Sequence, residues 1–204
     1  MLRSNLSILL AERDLKISEL YEMTGISKTT LLALSENKGK GVQFDTIDKI
    51  CNALGVTPNE FFDYSPYIIE LRDYEDRYNE NMFLELFVSN KNYRKSFYMS
   101  YYFDNTSSSP VNTENEILLT CFLSDTDAYT DTEFFSIIDT MSIAFQKQLI
   151  ESIKEKIIAF TQQKREFSYY SYQEKDHVPI RTGDKILAIV FENTPLMEIF
   201  EFSY

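Results

Sequence analysis

Gly25-Ile26-Ser27-Lys28-Thr29-Thr30-Leu31-Leu32-Ala33-Leu34-Ser35 is the stretch whose reading decides the first part of this 204-residue chain. It reads as a sharp turn followed by a short helix. Gly25 accepts positive φ at no steric cost. Ser27 is a good N-cap, because its hydroxyl can accept a bond from an orphan N–H of the first turn. Leu31 and Leu34 lie three apart and share a buried face. Ser27, Lys28, Thr29, Leu32 and Ala33 project elsewhere, and none of them is acidic. A helix with an apolar back and a neutral-to-basic front suits the major groove of duplex DNA, which is wide enough to admit one helix.

The flanks extend the pattern. Ile17 to Met23 has apolar residues at 17, 20 and 23 (or, counting on, 24), a second short helix. Thr24-Gly25-Ile26 is a connection of helix-turn-helix length. Leu6, Leu9, Leu10 and Arg13 give a first helix, capped by Ser4 or Asn5, to which the opening residues Met1 to Leu6 are assigned. Asn37 to Gly41 is a flexible basic loop. Phe44, Ile47, Ile50, Cys51 and Leu54 predict a fourth amphipathic helix, with Asp45 near its start and Gly55 as its stop. Thr57-Pro58-Asn59-Glu60 opens a fifth: Thr57 caps, Pro58 takes the first helical position, and Glu60 completes a capping box.

Residues 2–64 resemble the Cro/cI-type, or XRE-like, helix-turn-helix domain of phage repressors. The matching pieces are Leu10-Ala11-Glu12-Arg13, Ile17 to Met23, Thr24-Gly25-Ile26-Ser27, Leu31 and Leu34, Glu36-Asn37, Ala53 to Pro58, and Phe61-Phe62. One helix-turn-helix pattern is weakly specific; five helices in register over about 60 residues are much more so. The resemblance implies sequence-specific binding of double-stranded DNA, usually as a homodimer on a palindromic operator. It departs at Tyr21, where the family usually has a small residue at the helix crossing. By position, Ser27, Lys28, Thr29, Leu32 and Ala33 are the candidates for base contacts. Ser18, Thr30, Asn37, Lys38 and Lys40 are the candidates for phosphate contacts that set the register. The bland alternatives are a satisfied helix-surface hydroxyl for Thr30 and solvated loop lysines for Lys38 and Lys40.

A formal net charge of −12 looks wrong for a DNA binder. Residues 1–64 hold 7 Lys and Arg against 9 Asp and Glu, a net of −2, and residues 65–204 hold 13 against 23, a net of −10. Between 27 and 44 only Glu36 opposes Lys28, Lys38 and Lys40. The expected DNA face is thus locally basic, and acid elsewhere orients the encounter. No run approaches 18 apolar residues, so no membrane span is predicted, and the opening residues do not form a signal peptide. The localisation expected is cytoplasmic, at the nucleoid. Cys51 and Cys121 are expected as buried free thiols. With a single His and no CxxC pair, no metal site and no cofactor are expected.

A boundary is expected near Ser65-Pro66. Aromatics number 5 in residues 1–64 and 25 in residues 65–204. β-rich runs occur at 67–74, 82–88, 96–103, 116–124, 167–172 and 185–192, with a loop at 104–110 and a turn at Gly183-Asp184. Between them, Thr130 to Glu133 reads as a capping box. Phe134, Ile138, Met141, Phe145, Leu149, Ile153, Ile157 and Phe160 then recur at helical spacing. With no Gly or Pro before Gln163, this predicts one helix of about 30 residues, or about 45 Å. It should pack across the sheet, and part of it should build a dimer interface. The fold class is an all-α, five-helix Cro/cI-like DNA-binding domain (1–64) followed by an α+β domain (65–204), mostly antiparallel sheet with one long helix.

Catalytic readings are weak, and no catalytic residue is assigned. Gly183 is the only Gly after residue 55 and is followed by Asp184, and no Ala-Gly or Cys-Gly pair, the cleavage pair of self-cleaving repressors, is present. His177 beside Asp176 lacks a nucleophile motif. The acidic runs 73–76 and 125–127 lack EF-hand spacing. The Tyr101-Tyr102 and Tyr169-Tyr170 pairs fit cross-strand packing better than a ligand pocket. Two functions follow. One is a transcriptional regulator, a repressor of phage or mobile-element type, with residues 65–204 supplying dimerisation and a surface for an unidentified protein or small-molecule effector. The other is an antagonist whose acidic second domain binds a nucleic-acid-handling protein, with the helix-turn-helix regulating its own gene.

Overall fold

The computed structural model describes residues 1–75, 81–105, 117–124, 130–163, 166–171 and 174–204. Asp76 of the first acidic run, all of 125–127, most of the 104–110 loop, Glu116 and Tyr172 lie outside the described residues. The chain divides into two compact units, Met1–Pro66 and Tyr67–Tyr204.

In the first unit, β1 (Leu2–Ser4) precedes α1 (Leu6–Glu12), α2 (Ile17–Thr24), α3 (Lys28–Ser35), α4 (Phe44–Leu54) and α5 (Pro58–Phe61), and β2 (Phe62–Tyr64) follows. The opening residues, expected in the first helix, are instead a strand antiparallel to β2, pairing Leu2 with Tyr64 and Ser4 with Phe62. A three-residue strand is too short to show a period. One core takes a face from every helix: Leu6, Leu9, Leu10, Leu20, Leu31, Leu34, Ile47, Ile50, Cys51, Leu54 and Phe61. Arg13 fastens the ends of α1 and α4, donating from Nε to the Leu54 carbonyl at 3.0 Å. On α2 Leu20 is buried, Ile17 and Thr24 are half-buried beside it, and Met23 is exposed.

The caps behave largely as the residue types require. Gly25 sits at φ 69° and donates its N–H to the Tyr21 carbonyl at 2.8 Å, which ends α2. Thr57 and Glu60 close a reciprocal box, with the Thr57 N–H donating to Glu60 Oε2 at 2.7 Å. α1 takes Ser4 as its side-chain partner, whose Oγ accepts the Leu6 N–H at 3.0 Å, while the Asn5 amide donates to the Glu60 carbonyl. Phe44 is a correction: at the first position of α4 it is 96% exposed.

The second unit is built on a six-stranded mixed sheet ordered β10-β9-β6-β5-β4-β3. Its strands are β3 (Ile68–Asp73), β4 (Met82–Ser89), β5 (Arg94–Asn105), β6 (Ile117–Leu123), β9 (Lys185–Val190) and β10 (Glu198–Ser203). All neighbours are antiparallel except β6 and β9, which run parallel because the intervening chain crosses over. β7 (Ser168–Ser171) and β8 (Asp176–Pro179) form a separate antiparallel pair. The single long helix expected from Thr130 to Gln163 is two helices, α6 (Asp131–Ile138) and α7 (Ile143–Gln162). Ser142 is extended and caps α7, its Oγ accepting the Phe145 N–H at 3.4 Å. The Gln146 amide then donates to the carbonyls of Ile138 and Met141 at 3.2 and 3.1 Å. Every residue of the predicted stripe, Phe134 to Phe160, is nevertheless buried. Ring contacts of 5.2 Å between Phe97 and Phe134 and 4.8 Å between Phe83 and Phe160 join the helices to the sheet.

The predicted Thr130 box does not form, since Thr130 makes no side-chain cap bond. Glu133 reaches the sheet instead, accepting from Tyr93 Oη at 2.9 Å and Lys95 Nζ at 2.6 Å. Lys95 holds the Glu133 carboxyl below the usual carboxylate range, while burial and then Glu133 push the Tyr93 phenol up.

Candidate nucleic-acid interface

α3 is amphipathic in the sense its sequence requires. Leu31 and Leu34 are buried, Lys28, Thr29, Thr30 and Leu32 are exposed, and Ala33 is half-buried. The Ser27 Oγ accepts the Thr30 N–H at 3.2 Å and lies 2.9 Å from the Thr30 hydroxyl. Both hydroxyls therefore stiffen the turn from which Lys28 and Thr29 rise. Lys28 Nζ stands 5.4 Å from the centroid of the Tyr21 ring, a cation–π distance. Such a contact is worth about 0.5–1 kcal/mol at an exposed site.

Six candidates thus lie on one helix or its cap: Ser27, Lys28, Thr29, Thr30, Leu32 and Ala33. Ser18 is half-buried near the start of α2. Lys38 and Lys40 are exposed in the segment after α3, and Lys38 Nζ pairs with Glu36 Oε2 at 2.9 Å. Asn37 has a different occupation. At φ 57° its side-chain oxygen accepts the Ser4 N–H at 2.6 Å and its amide donates to the Ser4 carbonyl at 3.1 Å. It clamps β1 to the end of α3. A cavity of about 240 Å³ lies beside this clamp, between Leu2, Ala33, Lys40 and Phe62.

Such a surface can donate hydrogen bonds and offer apolar contact. A Lys ammonium suits guanine O6 or N7, and a Thr methyl or Leu side chain suits a thymine methyl. Sequence reasoning missed Tyr21 as a partner of Lys28. An aromatic residue half a helix away gave no spacing signal, because the contact crosses the turn between two helices.

Elsewhere, Cys51 and Cys121 are free and buried, and burial raises both thiols. His177 is exposed on β8, its ring edge-on to Tyr170. Among the described residues, no group of three or more His, Cys, Asp or Glu could hold a metal ion, and no helix is long and apolar enough to cross a membrane.

Residues 5–67 match the model of the Cro/C1-type HTH DNA-binding domain. Over 60 residues the chain is 33% identical to an uncharacterised HTH-type transcriptional regulator, YozG, of Bacillus subtilis (strain 168), covering 29% of this chain and 71% of that protein. The chain belongs to the Cro/C1-type helix-turn-helix family. No solved structure matches it. The Cro/C1-type match opens at Asn5 and so begins after β1. It takes in α1 to α5 and β2 and closes at Tyr67, the first residue of the second unit. Within this DNA-binding domain, α2 and α3 are the helix pair of the motif and α3 holds the position of the inserted helix.

Proposed function

We propose that the protein is a sequence-specific transcriptional regulator, a repressor of phage or mobile-element type, that reads a palindromic operator as a homodimer. Lys28, Thr29, Leu32, Ala33 and Ser27 meet base edges. Ser18, Thr30, Lys38 and Lys40 set the register on phosphates, with Asn37 contributing through the posture of the loop it anchors. Residues 65–204 supply dimerisation and the surface on which an effector acts, without catalysis. The observation that carries the reading is the exposed, acid-free face of α3 over its buried Leu31 and Leu34. One such helix reads only a few base pairs, so a second copy is what raises discrimination to a useful ratio.

The test is selection of bound fragments from random duplex DNA with the full-length protein. The expected result is an enriched palindrome with half-sites about one helical turn apart. Recovery without enrichment overturns the reading.

A further inference from the structure

We propose that Tyr21 is a positioning residue for Lys28: its ring holds the ammonium at the open end of α3, so that the cation is presented to base edges already ordered. The inference rests on the reading of α3 as the base-contacting helix.

Lys28 occupies the first position of α3, where the aligned peptide dipoles place partial positive charge. A cation there is disfavoured by its own helix. No acidic residue lies between Gly25 and Ser35 to offset this. The Tyr21 ring does, with Nζ 5.4 Å from its centroid. The choice of an aromatic face matters chemically. A carboxylate would hold Lys28 as well, but it would cancel the charge and repel phosphates. The negative face of a ring attracts the ammonium and leaves its formal charge intact.

The backbone that bears the ring is tied to the turn before α3: the Tyr21 main-chain carbonyl accepts the Gly25 N–H at 2.8 Å, and the Ser27–Thr30 bonds stiffen the next turn. Tyr21 is 42% exposed, so core packing does not account for where it lies. A lysine held in place loses less rotamer freedom on binding than a free one.

The experiment is a double-mutant cycle on the full-length protein, with the duplex recovered by selection and a scrambled duplex of equal length. Tyr21→Phe keeps the ring, and Tyr21→Leu keeps apolar bulk without it. Tyr21→Leu should narrow the cognate-to-scrambled affinity ratio about two- to fivefold, and Tyr21→Phe should leave it nearly unchanged. In the Lys28→Ala background Tyr21→Leu should have no further effect on the ratio. Equal losses in the two backgrounds overturn the proposal, because a purely structural role would produce them. A DNA-free readout accompanies it: the Lys28 ε-methylene protons should be ring-shifted upfield in the wild type and Tyr21→Phe but not in Tyr21→Leu. Unchanged shifts in Tyr21→Leu also overturn it. If Lys28→Ala itself leaves the ratio unaltered, the base-reading assignment has failed and the positioning role falls with it; the ring shift still reports whether the two side chains meet.

Discussion

Phe44 and Ile47 are three residues apart on α4, yet the first is 96% exposed and the second buried. Periodicity assigned both to one face. The period is a property of the helix, however, and at the first turn the core that would receive that face has already ended. Ile47→Ala should cost about 2–5 kcal/mol of unfolding free energy by denaturant titration. Phe44→Ala should change it by no more than about 0.5 kcal/mol. The same separation of local signal from surroundings governs the candidate site. Leu31, Leu34, Ser27 and Gly25 were legible because their roles are local. Asn37 was not, because its partner Ser4 lies far back in the chain, and Tyr21 was not, because its partner Lys28 lies across a turn on the next helix. Lys28→Ala should cost about 1–3 kcal/mol on the selected duplex and much less on a scrambled one. Lys38→Ala should weaken both alike, and its pair with Glu36 makes that loss small. Titration of each variant against both duplexes checks this.

Among the elements, the helices of the first unit (α1 to α5) and most strands of the second fall near where propensity and spacing put them, apart from the opening residues, which form β1 rather than part of α1. β10 lies in the tail after residue 192, where the sequence predicts no strand, and two further kinds of element were hidden. β1, β2 and β8 are three or four residues long, below the length at which alternation can be read. The break between α6 and α7 was hidden because the apolar stripe continues through it. Both helices rest on the same sheet, so the spacing of buried residues stayed helical while the backbone changed course at Ser142. Asn37 shows what holds such short pieces. Asn37→Ala removes the two bonds to Ser4 and keeps a β-carbon at positive φ without the polar side chain that lets Asn tolerate it. Asn37→Gly removes the bonds but relieves the backbone. Asn37→Ala should therefore be the more destabilising of the two by about 1 kcal/mol in thermal or denaturant unfolding. Between α6 and the sheet the tie is Glu133. Its carboxyl is held below the ordinary range, so its contribution is complete above the usual glutamate pKa and disappears as pH falls through the lowered folded-state value. The stability gap between wild type and Glu133→Gln should be about 1 kcal/mol or less near pH 6 and should close as pH falls below the ordinary glutamate range. A gap that widens in acid would reverse the sign of this assignment.

At the scale of the whole molecule, charge is distributed unevenly, with most of the excess acid in residues 65–204. The full-length protein should be a dimer at micromolar concentration by light scattering, free and on DNA. A fragment of residues 1–66 should be monomeric and bind at least about tenfold more weakly. Three lysines near each reading helix give about six contacts per dimer, so log K against log salt should fall with a slope of about −4 to −6. A slope steeper than about −9 would require a basic surface elsewhere. The first unit also begins and finishes at one place. β1 lies along β2, and the Met1 ammonium donates to the carbonyl of Ser65. Topologically the unit is close to a ring with a single gap. A few added residues would bridge Ser65 to Met1, so circular permutants of this unit can be closed without stretching the backbone. The unit can equally be spliced into a surface loop of an unrelated host, which need only offer two attachment points a few ångströms apart.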